Sequence, residues 1–250
     1  MARHLSTSRF KSVRAGHAIV LAGDHPAMVE NRPLFTNAAT ADKHRHGIGP
    51  VYPGETVLKS GANNRKIHSV RFGIPDFTLT LRERTDCPMH CAERARCLGN
   101  HEFRHRRYEV TPAFYRAVRD ECELNSLLYP DGWRLRLHVL GDFISPVYVR
   151  FWAEMLAEYE PLRIWGYTHH RKTDSIGREI EKLNREYQRG RFCVRWSGGK
   201  GAWSTRVFDA QTDERVREGY TMCAHEFKGI ACADCTLCWT SPKPIGFTAH

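Results

Sequence analysis

The sequence predicts an α/β fold, either a partial (β/α) barrel or a parallel α/β sheet, with an irregular N-terminal extension and a C-terminal cysteine-rich segment. Three observations predict it. Apolar, β-branched runs alternate with stretches whose apolar residues recur at helical spacing. Strand starts recur at 135, 162 and about 191, close to the length of one βαβ unit. Residues able to do chemistry cluster just after these runs, at the strand ends that share one edge of such a sheet and form its active sites.

Taken in order, residues 1–53 are rich in Ala, His, Gly and Pro without sustained periodicity, and read as the irregular extension. Residues 54–250 form the (β/α) domain, which includes the cysteine-rich segment 221–250. Phe77 to Leu81 (FTLTL) is the first strand of the repeat. Thr111-Pro112 marks a helix start, with Thr as N-cap and Pro at the first helical position. Leu135 to Leu140 (LRLHVL) is a strand ended by Gly141-Asp142-Phe143. Ser145-Pro146 opens a helix whose Val147, Tyr148, Phe151, Trp152, Met155, Leu156 and Tyr159 share one face. Leu162 to Thr168 is the next strand, Ile176, Ile180, Leu183 and Tyr187 mark a helix, and Phe192 to Trp196 closes the series. Strand, helix, strand in succession implies parallel pairing with right-handed crossovers.

Composition bounds the function. No run of about 18 uncharged apolar residues occurs and the basic N-terminus lacks the apolar core of a secretory signal, so no membrane partner is expected and a cytoplasmic location is. In a reducing compartment an odd count of nine cysteines is a poor disulfide framework, and clustered thiols read as metal ligands. Seven are clustered: Cys87, Cys91 and Cys97 as C-x3-C-x5-C, and Cys223, Cys232, Cys235 and Cys238 as C-x8-C-x2-C-x2-C. Cys122 and Cys193 stand among apolar neighbours as core side chains.

The C-x2-C-x2-C run suits a [4Fe-4S] cluster, because short successive loops can offer three thiolates to three corners of one cubane. Structural zinc, the alternative, usually takes its ligands as two separated pairs. Cys223, or one N-terminal cysteine, would supply the fourth corner, and a second cluster at the N-terminal trio would keep one coordination position open.

The formal charge of +10 points to an anionic partner, nucleic acid or nucleotide, with Arg94, Arg96, Arg104, Arg106 and Arg107 around the first cysteines and Lys59, Arg65 and Lys66 upstream read either as a phosphate track or as a solvated basic face. Asp142, at a strand end, is read as a ligand-binding carboxylate or a helix N-cap, and His169 and His170 as proton carriers, ligands or solvated loop residues, with Asp142 and His169 the catalytic candidates. Ser197, Gly198, Gly199 and Lys200 form either a cofactor phosphate cradle or a turn. His101-Glu102-Phe103-Arg104-His105 matches H-E-x-x-H, in basic rather than apolar surroundings. Trp203 and Trp239 are read as core or as base-stacking side chains, and His250 as a terminal residue able to fold back toward a metal.

The segments TVLKSGANNRKI, FTLTLRERTDCPMHC, LRLHVLGDFISPVYVRFWAEMLAEYEPLRIWGYTHH and CADCTLCWTSPKPIGFTAH resemble the phage gene product 88 group and its proteobacterial prophage relatives, from about Glu55 to His250. That resemblance implies kinship and a mobile-element origin. More distantly the chain is similar to radical S-adenosylmethionine enzymes, whose partial barrel carries three cysteines after its first strand and Gly-Gly-Glu at a later strand end. Cys87, Cys91, Cys97 and then Gly141-Asp142 stand in comparable places, with C-x3-C-x5-C in place of C-x3-C-x2-C and Gly-Asp-Phe in place of Gly-Gly-Glu. This likeness implies S-adenosylmethionine as a second cofactor and an auxiliary cluster at the terminal cysteines.

The expectation is an iron–sulphur protein of phage type, a radical-type or redox enzyme acting on nucleic acid or nucleotide. The alternatives are a nucleic-acid-binding protein with a purely structural iron–sulphur or zinc site, and an H-E-x-x-H metallohydrolase.

Overall fold

The computed structural model describes residues 19–35, 47–62, 67, 74–102, 105–208 and 218–248. In chain order the strands are β1 (Ile48–Gly49), β2 (Lys59–Ser60), β3 (Asp76–Thr78), β4 (Arg107–Tyr108), β5 (Trp133–Leu137), β6 (Leu162–Thr168), β7 (Phe192–Ser197), β8 (Ser204–Phe208), β9 (Thr221–Met222) and β10 (Ile245–Thr248). The helices are α1 (Pro26–Val29), α2 (Pro112–Leu128), α3 (Pro146–Glu158), α4 (Ser175–Glu186), α5 (Ala224–Lys228), α6 (Cys232–Cys235) and α7 (Leu237–Thr240).

Eight strands form one sheet in the order β2-β3-β5-β6-β7-β8-β10-β9, and β1 pairs with β4. The pairings are parallel except β2 with β3, so this is an α/β fold built on a mostly parallel sheet. From β3 to β8 each strand lies beside the next one of the series; helices separate β3 from β5, β5 from β6 and β6 from β7, as expected of successive βαβ units, whereas β7 passes to β8 without one. No described helix is long and apolar enough to cross a membrane.

Strand periodicity divides the sheet into two unlike faces. Trp133, Leu135 and Leu137 on β5, Ile164 on β6, and Phe192, Val194 and Trp196 on β7 join the apolar core with Phe114, Val118 and Cys122 of α2, Trp152 and Met155 of α3, and Ile180 of α4. The alternate residues, Arg134, Arg136, Trp165, Tyr167, Cys193 and Arg195, point to the other face, where the chemistry collects. Register carries this across strands, since Arg136 is level with Trp165 and Tyr167 with Arg195.

The helix starts are where the sequence puts them. Thr111 Oγ1 accepts from the Phe114 N–H at 3.3 Å and Ser145 Oγ from the Tyr148 N–H at 3.1 Å, each followed by proline at the first helical position. Strand bounds shift by a few residues. The ladder of β5 stops at Leu137 rather than Leu140, because Val139 donates to the Leu79 carbonyl and the Leu140 carbonyl accepts from Leu81. These bonds tie the end of β5 to the segment after β3, which carries the first cysteines. Gly166 allows the close approach of β5 and β6, since a Cβ there would lie 1.5 Å from the Leu137 carbonyl oxygen.

The described parts of the extension lie over the first cysteine loop. Leu21 N–H donates to the Ala95 carbonyl at 2.9 Å, Asn100 Nδ2 to the Ile19 carbonyl at 2.7 Å, and Arg94 Nη1 to Asn31 Oδ1 at 2.7 Å.

Glu121 of α2 fastens the segment before β2, accepting the Val57 N–H at 2.6 Å and the Leu58 N–H at 2.8 Å. Burial pushes its carboxyl up to about 7, against the pull of those two donors. The folded-state value lies above the unfolded one, so this group's contribution to stability is fully present below the unfolded value and is lost as pH rises through about 7. Urea midpoints should therefore fall between about pH 4.5 and 7 in the wild type, and the Glu121→Gln variant should lack that component of the fall. Parallel profiles for the two proteins would refute this.

Candidate functional site: two thiol groups on one cavity

The first thiol group sits in the loop that follows β3, where the backbone is irregular and is held by side chains. Asp86 accepts the Arg82 N–H at 2.9 Å and pairs with its guanidinium. Glu83 and Arg107, both fully buried, form a two-point ion pair whose Nη2–Oε1 arm is 3.0 Å. Arg84, at φ 65, donates to the Arg94 carbonyl and to Asn100 Oδ1, while Asn100 Nδ2 donates to the Ala95 carbonyl. This frame brings Cys87, Cys91 and Cys97 close enough for Cys91 and Cys97 to disfavour the ionisation of Cys87, and Cys97 that of Cys91. Burial is the largest cause that raises the Cys87 thiol, followed by the Asp142 carboxylate and the other two cysteines. Burial likewise pushes Cys91 up to about 12. Cys97 Sγ accepts from the Gly99 N–H at 3.4 Å.

The second group occupies the C-terminal segment. Cys223 precedes α5, Cys232 and Cys235 bound α6, and Cys238 lies in α7, with Thr236 at φ 56 turning the chain between the last two helices. All four cysteines surround a void of about 20 Å³. Tyr167 donates its hydroxyl to Cys238 Sγ at 3.0 Å, and burial pushes that thiol up to about 12. Arg195 reaches from β7 to the carbonyls of Cys238 (3.2 Å), Ser241 (2.8 Å) and Lys243, and Cys193 donates its thiol to the Cys238 carbonyl. Trp239 packs on Trp165 with centroids 5.0 Å apart and lies under the Arg134 guanidinium, so it is a packing residue rather than a base-stacking one.

The two groups meet at one cavity of about 270 Å³. Its walls include Cys87, Cys91 and Cys97 from the first loop and Cys223, Cys232 and Cys238 from the second. Arg136, His138, Trp165 and Tyr167, from the polar face of β5 and β6 and the turn after β5, complete it. Among the described residues no three Cys, His, Asp or Glu side chains are already arranged to hold a single metal ion. Fit to a metal group therefore rests on the donor set: seven sulfurs in a group of three and a group of four, the soft ligands selected by iron–sulphur clusters and zinc.

Asp142 and His169 both line this cavity. Asp142 is not the N-cap of α3, a place taken by Ser145. Its Oδ1 accepts the Phe143 N–H and the Thr168 hydroxyl, each at 2.8 Å, and its Oδ2 the His169 N–H at 2.8 Å. The carboxylate thus spans the ends of β5 and β6. Burial raises its pKa against the pull of His170 and those donors. The His169 carbonyl accepts from His90 of the cysteine loop at 2.9 Å, and burial lowers its imidazole pKa. His170 is held between the Phe143 carbonyl at 2.7 Å and Asp174 at 3.4 Å, so it is not a solvated loop residue.

The other expected residues do not assemble as the sequence suggests. Ser197 and Gly198 line the cavity, but the Gly198 N–H donates to the Thr205 carbonyl at 2.7 Å and Lys200 is exposed away from it. The segment is the short link from β7 to β8, and one of the N–H groups expected of a phosphate cradle, that of Gly198, is engaged by β8. Arg106 and Arg107 are no surface track. Arg106 is buried against Glu55 at 2.8 Å and Arg107 against Glu83, which neutralises both. Arg94 is tied to Asn31 and Arg96 pairs with Glu93 at 3.1 Å, while Lys59 is half-buried on β2. Arg65, Lys66, Arg104 and His250 lie outside the described residues. In the H-E-x-x-H stretch, His101 Nε2 accepts the Ile19 N–H at 3.2 Å and Glu102 contacts His105 at 3.1 Å. One imidazole nitrogen and the would-be base are thus engaged elsewhere, and the described residues of the stretch are not helical, so the zinc geometry of that motif is not formed.

Sequence reasoning missed Arg136 and His138. The signal was present in WRLRLH, where charged residues alternate with apolar ones over a strand buried on its apolar side. An arginine repeated at every second position names the face that must be polar.

Comparison with known proteins adds one partial similarity and no reaction. The chain is 25% identical to the Gene 88 protein of Mycobacterium phage D29 over 133 residues, 45% of this chain and 53% of that protein. It thus spans about half the length of that relative. No family model matches the chain, and no solved structure matches it.

Proposed function

We propose that the protein is an iron–sulphur enzyme of phage type, of the radical or redox kind, whose substrate enters the cavity between its two cysteine groups. The single observation that carries this reading is that six thiols from segments more than a hundred residues apart wall the same 270 Å³ cavity. A binding module with a structural metal has no need to turn a second thiol group toward the same space. Cys223, Cys232, Cys235 and Cys238 would hold a [4Fe-4S] cluster with protein ligands at every corner, and Cys87, Cys91 and Cys97 one with an open position. When bound, such clusters supply one-electron chemistry.

The chain's own residues divide the remaining tasks. Asp142 fixes the ends of β5 and β6 relative to each other and to the cysteine loop through His169 and His90. Tyr167 and Arg195 orient Cys238 by its sulfur and its carbonyl. The aromatic walls Trp165, Tyr167 and Phe247 restrict water around the substrate. S-adenosylmethionine would be the second cofactor if the open position is its seat, and a nucleotide or the end of a nucleic acid would be the substrate. The burial of Arg106 and Arg107 removes the strongest part of the case for an extended strand.

Zinc at the four C-terminal thiols is the second reading, favoured by a void of about 20 Å³, room for one ion. Anaerobic purification followed by iron, sulfide and zinc analysis separates the two. Iron and sulfide in equal amounts, with a broad visible absorption that bleaches under dithionite, are expected. Zinc with no sulfide would sink the enzyme reading.

A further inference from the structure

Two buried side-chain nitrogens of cavity-lining residues have no partner among the described residues, and they belong to alternate positions of one stretch. Arg136 Nε is buried and has no hydrogen-bond partner among the described residues, and the same holds for His138 Nδ1. Both residues line the cavity. The other nitrogen of His138 is occupied by the Tyr148 hydroxyl at 2.9 Å, which fixes the ring beside Arg136 and leaves Nδ1 unpaired among the described residues. Burial pushes the imidazole down to about 3, so it stays neutral and Arg136 carries the charge of the pair.

Arg136 also differs from Arg134, Arg195 and Arg96, whereas Arg206, the remaining arginine of the cavity wall, likewise has only a ring beside it, that of Phe208 at 5.5 Å. Arg134, one inward position before it on β5, is neutralised by Asp76 through two contacts of 2.8 Å. Arg195 is spent on three carbonyls, and Arg96 on Glu93. Asp142, a carboxylate of the same cavity, is saturated by three donors from its own surroundings. What Arg136 has instead is a pair of rings, with its guanidinium carbon 5.4 Å from the Trp165 centroid and 5.9 Å from that of Tyr167. Rings of this kind hold a guanidinium in place without consuming its donors, which leaves its N–H groups free for a planar acceptor.

We infer that Arg136 and His138 form an oxyanion seat in this cavity, and that its ligand is a small acid whose carboxylate or phosphate lies on the Arg136 guanidinium. The inference takes its cavity from the proposed reading and names the ligand class for it. A cavity of about 270 Å³ is at the small end of ligand sites, which matches a mononucleotide or a smaller acid and not a polymer strand. The seat lies on regular strand β5 and the turn immediately after it, so its geometry is set by the sheet.

Calorimetric titration of the anaerobically purified full chain tests the seat. The probes are benzoate, inorganic phosphate and adenosine 5′-monophosphate, with benzamide and adenosine as uncharged counterparts. At least one anion should bind saturably at millimolar concentration, about tenfold or more tighter than its uncharged counterpart. The carboxylate and phosphate arms identify which acid the seat prefers. Arg136→Gln should bring the anion down to the level of the uncharged probe, and Arg136→Lys, which keeps the charge, should recover part of the loss and guards against a glutamine variant that does not fold. Binding of no anion, equal binding of charged and uncharged probes, or wild-type anion affinity in Arg136→Gln would overturn the seat. Iron content, measured on the same samples, reports on the proposed reading separately. Anion binding without iron leaves the seat and removes the enzyme, and iron without anion binding does the reverse.

Discussion

If the C-terminal thiols hold the proposed metal group, Cys238→Ala should cost the protein that metal and much of its fold in one step. The segment that carries this group has little else to order it. Its three helices are of five, four and four residues, and α5 and α6 lack a side-chain cap hydrogen bond. Helices this short have no independent stability, because nucleation is barely repaid before they end. On the proposed reading, four thiolates on one metal group would supply the missing term. Apparent metal-binding free energies of about 10–16 kcal/mol for structural zinc in small domains give the scale. Cys238 is the member most deeply tied to the sheet, through Tyr167, Arg195 and Cys193. Its removal should lower the melting temperature well below that of the wild type and abolish the iron bound at this group. Cys91→Ala should behave differently. Its loop is held by the Glu83–Arg107 and Arg82–Asp86 pairs and by Arg84, so the fold should persist while activity disappears. The two variants are read by melting curves and iron analysis on the same preparations. Wild-type melting and iron in Cys238→Ala would mean that the four thiols hold nothing.

The contrast between these loops also shows how much the sequence could reveal. The repeat of strand and helix was legible because each period writes itself locally: Thr111-Pro112 and Ser145-Pro146 cap helices through neighbours three residues on, and LRIWGYT is a strand by its own side chains. The convergence of polar loops at one edge followed from parallel winding. What stayed hidden were pairings between distant residues. Arg106 and Arg107 look like surface charge until Glu55 and Glu83, 51 and 24 residues away, are seen beside them. Asp142 looked like a cap because a helix begins just after it, but Ser145 is closer to the first turn and Thr168 claims the carboxylate from another strand. A charge count cannot tell a paired arginine from a free one. Arg134 and Arg136 share one face of β5, and only the neighbour each meets there separates them: Arg134 has Asp76 beside it and Arg136 has no such partner among the described residues.

The buried pair beneath the first cysteine loop provides the sharpest test of that distinction. Arg107→Met should lower the free energy of unfolding by about 3–5 kcal/mol, because it strands the Glu83 carboxylate at 0% exposure. An exposed pair such as Arg119 with Glu154 should cost no more than about 1 kcal/mol when broken, since water replaces the lost partner. The difference lies in solvation, not in the strength of the contact. Charge removed from water is tolerable only while its counter-charge is present, so the single variant should be far worse than the loss of one ion pair suggests. The double variant Glu83→Gln with Arg107→Met removes both charges and should recover a large part of the loss. Recovery will be incomplete, because Arg107 also donates to the carbonyls of Gly99 and His105, and Gly99 is packed so closely on Glu83 that a Cβ there would lie 2.6 Å from the carboxylate. These contacts set the turn that follows Cys97. Arg107→Met should therefore loosen the trio as well as the fold, and lose iron from the first group at temperatures where the sheet is still intact. Urea denaturation of the single and double variants, with iron release followed in the same samples, decides it. A single variant no less stable than the double would show that Glu83 finds water or a new partner, and that this pair does not frame the site.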